Sequence, residues 1–290
     1  MKTNKNMKIK TMVTAALFSI ASSPMLNAQV IISGYLANPT STDSPYEYVQ
    51  MVATENIDFS ATPMAVVFAN NGTATANGWV NGGSLTYEMS LTSGTVSAGQ
   101  SFYVGGSGKL LNGAGSTDIS GLNWIRTINT GTTAGDLFGS AASGGVIGNG
   151  GSNADVIGIF NGLTLTASSV PLDAVFYGSA VGSAFVSSSS GYTLPVNDLY
   201  SGGYLQAGST IMSDPGSAQF TVLSGVYDTN TSTWVTGRTS SLVTLPTTSD
   251  PSTIVSQINL SAAPAPEPAS LALAGLGLVA IGIVRRNRKA

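Results

Sequence analysis

Thirteen carboxylates between residues 29 and 260 are the only side chains in the central part of this 290-residue chain suited to acid–base work. Histidine and cysteine are both absent, which removes the commonest general base, the usual zinc ligands and any thiol nucleophile. A Ser-His-Asp triad cannot be assembled, and a serine–lysine dyad would have to use Lys109, the one lysine of that region. Gly106-Ser107-Gly108-Lys109 has the outline of a phosphate loop, but Tyr103 stands where the first glycine belongs and Leu110 follows the lysine in place of Ser or Thr. An exposed hairpin tip accounts for it better. A glycosidase needs two carboxyl groups at a suitable separation. Asp43/Glu47 and Glu55/Asp58 are near pairs, and spacing prefers neither. Solvation, turn capping and solubility account for nearly all such acids, so no catalytic residue is assigned and the chain reads as a non-enzyme.

Binding is the other chemistry to weigh. Acidic loops rich in Asp and Asn suit a hard cation, and Asp118, Asp136 and Asp155 flank glycine-rich loops. Calcium is thus the one cofactor left open, although no consecutive ligand pattern occurs and a turn role serves each residue equally well. No metal ligand is assigned. Trp79, Trp124 and Trp234, with ten tyrosines, invite a carbohydrate-binding reading because flat rings stack on sugars. Most large aromatics of a small β-sandwich belong to its core, which leaves one of the three tryptophans expected at the surface.

The elements that must position these residues read as short strands. Asn-Gly occurs at 71–72, 77–78, 81–82, 112–113, 149–150 and 161–162, and each pair supplies the positive φ values of a type I′ hairpin turn. Leu85, Tyr87, Met89 and Leu91 alternate with Thr86, Glu88 and Ser90, the pattern of a half-buried antiparallel strand. Further strands are expected at 30–36, 46–54, 64–69, 101–104, 155–160, 174–177, 219–227 and 233–245. The fold class is therefore all-β, an antiparallel β-sandwich, with the glycine-rich interval 131–151 as a long loop inside one body spanning 29–260.

Charge divides the chain more sharply than its net −3 suggests. Lys2, Lys5, Lys8 and Lys10 precede an apolar stretch around Met12 to Ala21, Pro24 breaks any helix, and Leu26-Asn27-Ala28 ends in a small residue. Residues 1–28 thus read as a secretory signal helix cleaved between Ala28 and Gln29. At the other end, Pro266-Glu267-Pro268 closes a proline-rich spacer at 261–268. An uncharged apolar run follows from Ala269 to Val284, and residues 285–290 carry Arg285, Arg286, Arg288 and Lys289. Sixteen helical residues reach about 24 Å, short of a hydrocarbon core of about 30 Å, so the run is a marginal single transmembrane helix whose arginines snorkel. The basic cluster sets the topology and stays cytoplasmic. The body keeps Lys109, Arg126 and Arg238 against thirteen acids, a formal charge of −10. So acidic a body offers no phosphate-binding patch, which argues against nucleic acid and anionic lipid as partners.

The tripartite tail, with Pro266, Glu267, Pro268, the run Leu271 to Val284 and Arg285, Arg286 and Arg288, closely resembles the PEP-CTERM sorting tail of Gram-negative envelope proteins. That resemblance implies an exosortase in the inner membrane as partner, transient anchoring, and release to the cell surface or extracellular matrix. It also implies a setting of exopolysaccharide and biofilm, hence a structural or interaction role with polysaccharide or surface proteins. A calcium-assisted carbohydrate-binding or adhesive module and a secreted carboxylate hydrolase are the alternatives. Ile32-Ser33-Gly34-Tyr35-Leu36-Ala37-Asn38-Pro39 with Glu47-Tyr48-Val49-Gln50-Met51, and the segment Gly148 to Tyr177, resemble the opening and closing parts of a lamin-tail-like domain over about 30–180. This family is immunoglobulin-like, and residues 181–260 would then add further strands.

Overall fold

The computed structural model describes residues 30–261 apart from 41, 70–77, 83–85, 130–133, 141–144, 150–154, 179–191, 194, 196–215 and 237. The expected signal helix and transmembrane helix lie outside the described residues. Among the described residues the chain is all-β, with fourteen strands and a single short 3-10 turn, Pro251–Ile254. No helix there is long and apolar enough to cross a membrane.

Two sheets carry the body. The larger runs in the order β12 (Thr233–Trp234), β11 (Gln219–Asp228), β1 (Val30–Leu36), β2 (Tyr48–Ala53), β7 (Ser101–Gly106), β8 (Trp124–Ile128), with β13 (Thr239–Thr244) and β14 (Gln257–Ser261) also on β11. The smaller is β10 (Asp173–Tyr177), β9 (Asp155–Asn161), β4 (Met64–Ala69), β5 (Thr86–Leu91). A two-stranded pair, β3 (Ile57–Asp58) with β6 (Thr95–Val96), forms a third ladder whose Ile57 and Val96 join the core shared by the two sheets. Ile32, Val49, Met51, Phe102 and Val104 from the larger sheet meet Val66, Phe68, Met89, Ile157 and Val175 from the smaller in one apolar cluster. Alternate residues of each strand feed this shared core, as the period of two demands.

The outer faces are covered as well. Ala65, Val67, Phe160 and Phe176 of the smaller sheet pack beneath Trp79 and Tyr192. Tyr48, Tyr103, Phe220 and Val222 of the larger sheet pack beneath Leu111, Ile119, Leu245 and Ile254. This explains why Met64-Ala65-Val66-Val67-Phe68-Ala69 is apolar without interruption, since both of its faces are buried.

Three expectations change. The sheets are not wholly antiparallel: β8 runs parallel to β7 and β14 parallel to β11, because the long connections before these strands bring them back in the same direction. The polar face of β5 is not solvated, for Thr86, Glu88 and Ser90 are all buried. Segment 134–140 lies along that strand, with Glu88 N–H donating to Phe138 O (3.2 Å) and Asp136 N–H to Glu88 O (2.9 Å). Leu85, the first residue of the expected pattern, lies outside the described residues. Finally, Gly78, Gly82, Gly113 and Gly162 do take positive φ, yet they lie in longer loops between neighbouring strands and close no two-residue hairpin, while Gly72 and Gly150 lie outside the described residues. Strands β3, β6, β8 and β14 lie outside the expected set, and the expected strand 233–245 is divided into β12 and β13.

Candidate functional site

Of the near carboxylate pairs, Asp43/Glu47 leads into the body and Glu55/Asp58 stays outside it. Asp43 O accepts from Tyr46 N–H (2.8 Å) and Glu47 N–H (3.2 Å), a turn that aims the Glu47 side chain inward. There one carboxylate oxygen of Glu47 accepts N–H groups from Val146 and from Ile147 (3.0 Å). Asp43 accepts from Asn149 Nδ2 (2.5 Å). Loop 145–149 is moulded on these acids. A Cβ on Gly145 would lie 2.5 Å from Glu47 Oε2, and one on Gly148 would lie 2.2 Å from Asp155 Oδ2.

Burial pushes Glu47 well above the ordinary carboxyl range; its two backbone donors pull it down, and the charges of Asp43 and Asp155 raise it again. Tyr87 and Tyr177 enclose the same space, and burial raises both phenols, with Glu47 and Asp155 adding to the effect. Tyr177 Oη donates to Gly148 O (2.6 Å). Burial first, and the neighbouring carboxylates after it, thus disfavour the charged form of Glu47, while its two backbone bonds fasten the loop. Asp58 instead closes a surface turn, accepting from Ser60 N–H (2.9 Å) and Oγ–H (2.6 Å), and these bonds lower its pKa.

The three calcium candidates are not brought together. Asp118 caps a turn at Ser120 N–H (2.7 Å), Asp136 pairs with Arg126 (2.7 Å) and accepts from Ser90 N–H (2.8 Å), and Asp155 is buried beside Glu47. Among the described residues no group of three or more acidic side chains is placed to hold a metal ion. Gly106-Ser107-Gly108-Lys109 ends β7 in a turn, and the Lys109 ammonium lies 5.5 Å from the Trp124 ring centroid.

None of the tryptophans is fully exposed. Trp79 is buried, while Trp124 and Trp234 are half-buried. Trp124 donates Nε1–H to Ile119 O (2.9 Å) and packs edge-on against Tyr48, and Trp234 lies against Tyr227 and the Arg238 guanidinium. The core takes Trp79 wholly and Trp124 and Trp234 in part.

Two features escaped the sequence reading. The first is a buried ion pair, Arg238 Nη1 to Asp173 Oδ2 (2.9 Å). The second is a groove of about 580 Å³ on the outer face of the larger sheet, bounded by Val52, Ser101 and Tyr103 on one side and by Val255, Ile258 and Leu260 on the other. No acidic or basic residue lines it.

Glu88 supplies a pH prediction. Burial raises its carboxyl to about 7 against the Ser90 hydroxyl bond, with Asp136 raising it and Leu137 N–H and Arg126 lowering it. Between pH 4.5, the ordinary value, and pH 7 the folded state holds a proton that the unfolded state releases, so stability falls as pH rises through that window. A full shift would be worth about 3 kcal/mol. The carboxyl lies beneath a single loop near solvent, and screening leaves roughly half of that. Urea denaturation at pH 5 and 7.5 is expected to show this loss in the wild type and its absence in Glu88→Gln.

The described residues form an all-β body of two facing sheets. Residues 264–289 match the family model of the PEP-CTERM protein-sorting motif. The chain therefore carries the sorting signal of a PEP-CTERM protein, and that motif indicates an extracellular protein processed by an exosortase. The matched span contains Pro266, Glu267, Pro268, Arg285, Arg286, Arg288 and Lys289. These residues, like Ala28 and Gln29, lie outside the described residues. No curated protein and no solved structure matches the chain.

Proposed function

We propose that this protein is a non-enzymatic component of the cell surface or extracellular matrix, exported across the inner membrane of a Gram-negative cell and associated with exopolysaccharide. The observation that carries the reading is the sorting motif at 264–289, which begins three residues after the last strand of the body ends at Ser261. In this reading the signal peptide 1–28 directs export and is cut after Ala28. The apolar run 269–284 then holds the chain in the membrane with Arg285, Arg286, Arg288 and Lys289 inside, while the spacer 261–268 presents Pro266-Glu267-Pro268 to the exosortase. The body, 29–260, is the cargo. Its two sheets facing across one core support an immunoglobulin-like, lamin-tail-like sandwich with β11 to β14 as added strands.

A non-enzymatic role is supported by where the carboxylates lie. A hydrolase working with two carboxyls needs both at an open cleft, and the groove on the larger sheet is lined by none among the described residues. Replacing Pro266, Glu267 and Pro268 together with alanine is expected to leave the protein in the inner-membrane fraction. Normal release of that variant to the medium would defeat the sorting reading. Retention of the mature body on polysaccharide from the producing cells checks the association, and failure to be retained on any of them would remove it.

A further inference from the structure

Of the strands of the larger sheet that pair on one side only among the described residues, β13 and β14 are longer than two residues and free of charge. Strand β13 pairs only with β11. Leu245, just beyond it, donates its N–H to Ala218 O (2.8 Å) across that ladder. Backbone groups alternate sides along a strand, so Ser240, Leu242 and Thr244 turn their N–H and C=O groups outward. Natural edges are guarded by charges, prolines or bulges. Thr239 to Thr244 contains no charge and no proline, and Leu242 is 38% exposed.

The second edge belongs to β14, which pairs only with β11, in parallel. Thr229 donates its N–H to Ser261 O (3.1 Å). The same alternation turns the carbonyls of Ile258 and Leu260 outward. The 580 Å³ groove runs along this edge: Ile258, Asn259 and Leu260 are consecutive and all line it, whereas one face of a strand would contribute only alternate residues. Val255, at 61% exposure, stands in its lining.

We propose that β13 of one copy adds to the β14 edge of the next, so that the exported bodies assemble head to tail. Copies carrying a formal charge of −10 repel one another, and these two uncharged strips let them approach without bringing like charges together. Size agrees. A strand rises about 3.3 Å per residue, about 4.8 Å from its neighbour and about 10 Å from the next layer, so it fills roughly 160 Å³ per residue and the groove takes roughly four residues. Main-chain bonds supply the attraction and the alternate side chains the selectivity, as in other strand additions. Because the two edges differ, each union leaves one of each free, and the assembly grows instead of closing. This does not depend on the polysaccharide reading, which can fail while assembly stands.

The test uses the protein recovered from the medium of cells that export it, followed by analytical ultracentrifugation over a hundredfold range of concentration. The wild type is expected to gain mass steadily. Leu242→Lys, which charges the β13 edge, and Val255→Asp, which charges the groove, are each expected to remain monomeric with an unchanged melting temperature. Mixed one to one, they are expected to form dimers and nothing larger, because the intact β13 of the Val255→Asp chain meets the intact groove of the Leu242→Lys chain. A wild type that stays monomeric, a mixture that stays monomeric, or either variant assembling alone overturns the proposal. Should either variant lose its melting transition, Thr244→Lys and Ser252→Asp, both at exposed positions, repeat the same comparison.

Discussion

Replacing Arg238 with methionine is expected to destabilise the body by about 3–5 kcal/mol, a fall in melting temperature of roughly 6–20 °C for a domain of this size. Arg238 follows β12, and its guanidinium reaches across to the smaller sheet, donating to Asp173 Oδ2 and to Ala174 O, each at 2.9 Å. The same Asp173 oxygen accepts the Ile32 N–H of β1 (2.7 Å). One carboxylate thus joins β10, β1 and the added strands, with side-chain exposures of 0% and 4% for the arginine and the aspartate. Removing the cation leaves the Asp173 charge buried without its counter-ion, and that penalty outweighs the Coulombic gain that the intact pair supplies. The double variant Arg238→Met, Asp173→Asn keeps an acceptor for Ile32 and removes the stranded charge. It is expected to recover most of the loss. A double variant as unstable as Arg238→Met alone would show that packing over Trp234, and not the buried charge, sets the cost.

That pair also shows where sequence reasoning stops. The sorting tail was legible in full because its code is local: a tripeptide, an apolar run and a basic end stand in order within 27 residues. Strands such as Val30–Leu36 and Met64–Ala69 were legible to the residue, since pattern and β-propensity coincide there. Trp124–Ile128 was hidden by the arginine at its centre, and Gln257–Ser261 by its shortness beside a proline-rich stretch, although Ile258 and Leu260 do alternate with polar neighbours. Arg238 and Asp173 lie 65 residues apart. Nothing in either segment marks the other, because the pairing depends on two sheets meeting face to face. Glu47 is similar, as its fate is decided by a loop about a hundred residues downstream. The acidic residues that seemed interchangeable in the sequence are separated by topology into turn caps, surface pairs and buried fasteners.

Trp79→Ala is expected to cost a further large amount, about 3–5 kcal/mol, and its coupling to Gly158 makes the reason testable. The indole is fully buried on the outer face of the smaller sheet, edge-on to Phe160 (5.1 Å between centroids) and Tyr192 (5.0 Å), with Nε1–H donated to Thr193 O (2.8 Å). It rests directly on the backbone of β9. A Cβ on Gly158 would come within 2.6 Å of the ring, so the glycine is there to admit the tryptophan. In the wild type, Gly158→Ala is therefore expected to destabilise by about 1–3 kcal/mol through overpacking. In the Trp79→Ala background the clash with the indole is gone, and the Phe160 ring, 3.1 Å from the added Cβ, has the vacated space to move into. The same change is then expected to be neutral or to stabilise by about 0.5–1 kcal/mol, since alanine suits a strand interior better than glycine. Thermal denaturation of the four proteins gives the coupling energy directly. An equal cost for Gly158→Ala in both backgrounds would mean that something other than the indole requires the glycine. A sign change between them would place Trp79, once a candidate sugar platform, in the hydrophobic cover of the sheet.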